Sequence, residues 1–294
     1  MAPLYPWQAP EWRPLGSPRV VAGVRAAMHR WGGIFGRRQQ GVLPPRETLT
    51  GRVLIGKLKY HIGAGVCPGE RDMTVAICQD RLRMCAQPGD VVLFVSVPGP
   101  CAFFGCRTRG LAIDKPAQRL VLAAGVVSEM VAPWDYHAPH GPLCGSKAAD
   151  RIYVAQVSCF NDKEHLARPT TAKRSTALLG PSRLATVRRV KTKQGPQWVV
   201  QYKGGKVIQY RLKKAARFHQ TPGHVNAIDE EALRRTDFNA PVLRCQNFVM
   251  LPGQCKAPEA KVWPRRFDKH LGARFRVLSK APKPLWDFVQ SLWA

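Results

Sequence analysis

The chain has 294 residues, 45% of them hydrophobic, enough for one large or two small buried cores, while 25 glycines and 25 prolines imply much loop. Lys and Arg number 46 against 19 Asp and Glu, a net charge of +27 that favours DNA, RNA or an anionic membrane as partner. No apolar run approaches the ~18 residues a transmembrane helix needs, so a membrane-spanning helix is excluded and peripheral binding stays open.

Nine cysteines, an odd number without a secretory h-region, suggest free thiols in a reducing compartment. An intracellular protein is expected, nuclear or organellar, and not a secreted one. Residues 1–50 read as a basic N-terminal extension. Within it Val20, Val21, Val24, Met28, Trp31 and Phe35 share one helical face, with Arg19, Arg25 and Arg30 opposite. A basic, acid-poor amphipathic segment of this kind suits organellar targeting; a core-packing helix ended by Gly32-Gly33 is the alternative. Gly41 to Pro45 then reads as a linker.

From Arg52 to Ile62 the pattern suggests a strand, leading into the Gly63–Gly69 loop, which lacks the Lys-Ser/Thr ending of a P-loop. Thr74 to Met84 fits either a short helix or a bent strand. Pro88-Gly89-Asp90 marks a turn, with Asp90 holding backbone amides, and Val91 to Val97 reads as a buried strand. Arg119 to Val127 is another apolar strand. Cys101-x4-Cys106 and His137-x2-His140-x3-Cys144 carry zinc-type ligands. No C-x2-C knuckle accompanies them, however, and Pro139 and Pro142 account for that loop, so neither metal nor cofactor is expected. There is no G-x-S-x-G elbow, H-E-x-x-H pair or deaminase signature, and the case for an enzyme is thin.

His165 to Ile228 contains no Asp or Glu. It holds three expected strands, Ala185–Lys193, Gln197–Tyr202 and Lys206–Leu212, the last two joined by a Lys203-Gly204-Gly205 hairpin signal. A short helix is expected over Asp229–Arg235 and a core strand over Val242–Leu251. The basic tail, 256–294, ends in an apolar helix, and residues 285–293 either dock on the core or bind a protein partner. The fold expected is α+β: a β-rich principal domain over 51–255 with an inserted basic β-meander at 165–225. A small barrel of the PUA, ASCH or EVE type suits this succession by analogy.

Several short stretches resemble the second of the nucleotide modification associated domains, which occur beside DNA-base-modifying enzymes. They are Thr74-x-Ala76-x-Cys78 with Leu82-Arg83, Ala86 and Gly89-Asp90; Arg119-Leu120-Val121 with Val126 to Glu129; Trp134-Asp135-Tyr136; Arg151-Ile152-Tyr153; and Val242-Leu243 with Cys245 to Phe248 and Gly253. The resemblance covers roughly 52–160 and 225–255. Gln79-Asp80 and Val91 depart from the family pattern, and so does the His61–Gly69 loop, which leaves ligand choice open. What the resemblance implies is a nucleic-acid or nucleotide-binding module associated with base modification.

Lys57, Lys59, Arg81 and Arg83 are then expected as phosphate contacts of the core. Arg188, Arg189, Lys191, Lys193 and Lys206 supply the grip of the meander, with Trp198 and Tyr202 stacking on bases. His61, Thr74, Cys78, Asp90 and Tyr153 are the expected pocket residues. Two other classes compete: an enzyme acting on a modified base or nucleotide through the His61–Gly69 loop and Asp90, and a basic structural component of a ribonucleoprotein assembly.

Overall fold

The computed structural model describes residues 13–14, 37–58, 67–68, 72–76, 79–96, 106–107, 118–139, 153–157, 184–192, 195–203, 205–212, 237–251, 259–273 and 275–294. In chain order the strands of the first half are β1 (Arg13–Pro14), β2 (Arg38–Gln40), β3 (Val53–Leu58), β4 (Cys67–Pro68), β5 (Met73–Val75), β6 (Val91–Ser96), β7 (Cys106–Arg107) and β8 (Leu120–Val131). Those of the second half are β9 (Tyr153–Val157), β10 (Leu184–Thr192), β11 (Gly195–Tyr202), β12 (Val207–Leu212), β13 (Val242–Met250), β14 (Lys261–Val262) and β15 (Phe275–Leu278). Short helices accompany them among the described residues, including α1 (Asp80–Cys85), α2 (Pro133–Tyr136) and α3 (Lys283–Gln290), with 3-10 turns at Arg46–Thr48 and Arg265–His270.

The larger sheet runs β15-β3-β6-β8-β13-β5-β4, with β14 beside β8 and β2 beside β13. Its path does not close among the described residues, and the architecture is a β-rich α+β fold. β3 and β6 are parallel, Val53 opposite Val91 through Leu58 opposite Ser96, and the remaining pairings are antiparallel. β6 shows why the run Val91 to Ser96 is apolar without alternation. It has a neighbour strand on each side, and all six of its residues are buried. Val91, Leu93 and Val95 pack with Val53, Ile55, Trp263 and α3 on one face. Val92 and Phe94 pack with Leu54, Leu82 and Phe248 on the other.

Thr74 to Met84 divides into both expected forms, ending β5 as strand and continuing as α1. Between them Gln79 adopts φ 48°, an uncommon left-handed conformation for a side-chain-bearing residue, and its Nε2 donates to Lys57 O at 2.8 Å. The turn at Pro88-Gly89-Asp90 forms as expected. Gly89 takes φ +87°, and the Asp90 amide donates to Gln87 O.

The acid-free segment folds as β10–β12, and β12 then pairs with β9, giving a four-stranded antiparallel sheet in the order β10-β11-β12-β9. Period-two alternation sorts its faces. Val187, Trp198, Val200, Tyr202, Ile208, Tyr210, Tyr153 and Ala155 point inward, packing with Phe238 and with Ala76, Val131 and Val242 of the larger sheet and its flanks. The inserted meander is therefore completed by a strand from the expected principal domain.

Both terminal regions contribute to the core. β2 pairs with β13, Leu43 and Leu49 pack on the large sheet, and Arg46 stacks over the Trp286 ring at 5.0 Å. β15 pairs with β3. Leu285, Trp286, Val289, Leu292 and Trp293 are buried against the same face, which corrects the partner-binding reading of 285–293: its apolar side chains are occupied by the sheet. The expected helices over Arg19–Phe35 and Asp229–Arg235 lie outside the described residues. No helix among the described residues is long and apolar enough to cross a membrane.

Burial of this kind sets an expectation for α3. Leu285→Ala should lower unfolding free energy by about 2–5 kcal/mol, the range for buried Leu-to-Ala truncations. Chemical denaturation measures it, and a loss under ~1 kcal/mol would show that α3 does not share the core.

Candidate nucleic-acid interface

Arg83 sits on α1 with its side chain fully buried. Its Nη1 donates to the carbonyls of Ala76 (2.9 Å), Ala240 (3.0 Å) and Pro241 (3.1 Å), and Nη2 to that of Asp237 (3.3 Å). Those carbonyls belong to backbone outside the strand ladders, so the guanidinium satisfies acceptors that would otherwise be buried without donors. Arg83 is thus a fold-bearing residue and not the expected phosphate contact. Arg81, two positions away, is exposed. Lys57 is half-buried on β3, and Lys59 lies outside the described residues.

The expected pocket does not assemble as a pocket. Asp90 is buried in the turn before β6. Its Oδ1 accepts from Thr50 Oγ1 at 2.7 Å and its Oδ2 from the Gln87 amide at 2.9 Å, with Arg52 Nε 3.6 Å from Oδ1. Burial raises its carboxyl above the ordinary range, against the lowering effects of Thr50, Gln87 and Arg52. Thr74 is buried elsewhere, accepting from Tyr136 OH at 3.2 Å. Tyr153 is buried and donates to Asp237 Oδ2. These are core hydrogen bonds, so the residues that carry the family resemblance here act as fold determinants. His61 and Cys78 lie outside the described residues.

The aromatic residues of the meander also take core positions. Trp198 is buried and opposite Tyr210 on β12. The Tyr202 hydroxyl lies 2.9 Å from that of Tyr210 and donates to Phe238 O at 3.4 Å. Burial pushes both phenols well above their ordinary range, keeping them neutral. Neither Trp198 nor Tyr202 presents a ring face to solvent, which corrects the expectation that they stack on bases. His137 is enclosed by the rings of Tyr136, Tyr153 and Tyr210. Among the described residues no group of His, Cys, Asp and Glu could hold a metal; His140, Cys144 and Cys101 fall outside them. Cys245 is a free buried thiol whose pKa burial pushes up, while Cys85 is free and exposed.

What the meander does offer is its other face. Register places Arg188, Val199, Gln209 and Gln156 in one row across it, and Val190, Gln197, Arg211 and Val154 in the next. Neighbouring side chains in such rows are about 5 Å apart. Arg188, Arg211, Gln156 and Thr186 are exposed and Gln209 and Gln201 half-buried, whereas Gln197 and Val199 in the middle of the rows are buried. None of the four strands carries Asp or Glu. Arg189, exposed on the edge strand, is in register with the inward Trp198 and so belongs to the opposite face, and Lys206 at the hairpin end sits over the Trp134 ring at 4.6 Å. The side chain of Lys191, and Lys193 entirely, are outside the described residues. Arg211 and the glutamines are not among the contacts expected from sequence, where the dense charges of β10 dominate the local pattern. The alternation of Gln209 and Arg211 with Ile208 and Tyr210 is the signal that points to them.

No family model matches this chain, and neither the curated proteins nor the solved structures provide a significant match.

Two expectations separate core from interface. Arg83→Gln leaves carbonyls without their charged donor at about 1–3 kcal/mol each, so a loss of at least ~3 kcal/mol in unfolding free energy is expected. Nucleic-acid affinity of the folded fraction should be unaltered; a stable variant with weakened binding would return Arg83 to the phosphate contacts. For Asp90, a folded-state pKa above the unfolded value means the native state holds its proton more tightly, so stability falls as pH rises from the ordinary carboxylate range through the folded pKa. The stability advantage of wild type over Asp90→Asn should therefore shrink between acid pH and neutrality. A constant or growing advantage in pH-resolved denaturation refutes this.

Proposed function

We propose that the chain is a nucleic-acid-binding module that grips phosphates through the outer face of the β10-β11-β12-β9 sheet. The observation that carries this is the sorting of that sheet: aromatic residues inward, Arg188 and Arg211 outward among uncharged Gln and Thr, with no acid on any of its strands. A face whose purpose was solvation would mix both signs of charge. Arginine with amide and hydroxyl groups suits phosphate and sugar contacts, which position a polynucleotide without reading its sequence. The net charge of +27 adds long-range attraction to the same class of partner.

The narrower reading, association with base modification, rests on the short motifs shared with the modification-associated family, and the likeness to PUA, ASCH or EVE barrels rests on strand succession. Both belong to this proposal. A face of arginines and uncharged polar groups, without stacking rings, argues for backbone grip, with any base discrimination supplied from elsewhere on the chain.

The test is salt dependence. With ~5 phosphates neutralised on duplex DNA, log affinity should fall against log salt with a slope near −4 to −5. The Arg188→Gln/Arg211→Gln double variant should flatten that slope by about 0.9 for each phosphate no longer neutralised, for all oligonucleotides alike. Turnover of a nucleotide would favour the enzyme reading. An unchanged slope in the double variant, or stronger binding to anionic vesicles than to nucleic acid, defeats the proposal.

A further inference from the structure

The parallel strands β3 and β6 end side by side, with Lys57 opposite Val95 and Leu58 opposite Ser96. Lys57 lies on the face of the large sheet that carries Ile55, Val95, Trp263 and Phe267. Arg119, just before β8, is brought to the same place: its backbone carbonyl accepts from the Trp263 amide at 2.7 Å, and its Nη1 reaches Ser96 O at 3.5 Å. Both side chains are half-buried. The acid beside them, Asp268, has Oδ1 3.8 Å from Arg119 Nε and already accepts there from the Trp263 indole at 3.1 Å. The Lys57 ammonium makes no hydrogen bond or ion pair with the described residues. Its pKa is lowered, by burial first and then by Arg119, with Asp268 opposing. Lys269 and Arg276 extend the positive field: burial first, and then these two cations, hold the His270 imidazole pKa below its usual range.

Two cations whose charges act on one another, beside one partly engaged carboxylate, leave a net positive charge in a partly desolvated place. Such an arrangement favours an anion. The geometry points to a discrete phosphate-binding subsite formed by Lys57 and Arg119 at the ends of β3 and β6. Lys57 supplies a mobile point charge, and the Arg119 guanidinium supplies directed N–H donors, oriented by Asp268. The shared chemistry is a phosphate group, carried either by a free nucleotide or by the terminus of a polynucleotide. The site does not use the outer face of the smaller sheet, and each proposal can fail without the other.

The experiment measures inorganic phosphate binding to the full chain by calorimetry, at constant ionic strength in chloride. Lys57→Gln and Arg119→Gln should each weaken phosphate binding at least about tenfold, one of two charged partners being removed. The Arg188→Gln/Arg211→Gln variant should bind phosphate as wild type does. Because Lys57 is repelled by its neighbour, Lys57→Gln should melt no lower than wild type in phosphate-free buffer. An independent measurement on wild type is acylation of lysines, in which phosphate should protect Lys57 by several-fold relative to chloride. Competition by a nucleoside monophosphate, set against 5′-phosphorylated and 5′-hydroxyl oligonucleotides, then assigns the source of the group. Equal phosphate affinity in wild type and both site variants, no binding to wild type, or equal loss in the sheet-face variant would each overturn the subsite.

Discussion

A buried guanidinium is costly to desolvate, and Arg83 persists in the interior because backbone carbonyls from separate parts of the chain converge on it. One of these, Ala76, follows β5; the others, Asp237, Ala240 and Pro241, precede β13. The charge therefore ties two approaches to the large sheet at the place where the smaller sheet rests. Around it, the Tyr153–Asp237 hydrogen bond and the Tyr202–Tyr210 contact complete a polar centre within an aromatic cluster. A buried network of this kind specifies one packing arrangement, because displacement would strand several polar groups at once.

That constraint decides which face of the smaller sheet meets water. Tyr153, Trp198, Tyr202 and Tyr210 are taken inward, leaving the opposite rows to Arg, Gln, Val and Thr. The protein thus keeps these aromatic side chains for internal cohesion, and the opposite rows expose Arg188, Arg211, Gln156 and Thr186 around the buried Gln197 and Val199. Its charge is also unevenly used: Arg83 is consumed by carbonyls and Arg244 by Asp72 and Glu129, whereas Arg188 remains exposed on the sheet.

The strands were the legible part of the sequence. β6, β8, β10, β11, β12 and β13 follow from apolar runs and alternation bounded by Gly and Pro, and Asp90 follows from its place in the turn. Pairing was not legible. Nothing local in Tyr153–Val157 says that it will close a sheet begun at Leu184, nor that Phe275–Leu278 will flank Val53–Leu58. The site was half legible for the same reason. Arg81 and Arg83 look alike in sequence, yet a step of two residues along the helix turns the first to solvent and the second into a carbonyl cradle. Trp198, Val200 and Tyr202 are spaced two apart, which identifies a shared face but not whether that face is covered.

The pairing of β3 with β15 joins Leu54 to Val277, so a strand formed near the start of the sheet waits for nearly the whole chain before its second neighbour exists. At translation rates of 5–20 residues per second, that interval is roughly ten to forty-five seconds. Throughout it the nascent chain carries a run of Val, Leu and Ile with an unsatisfied edge, and β13, needed at the centre of the sheet, is also late. The sheet therefore rests on contacts of long sequence separation, whose loop-closure entropy must be met before the pairings form, and slow folding is the expected consequence.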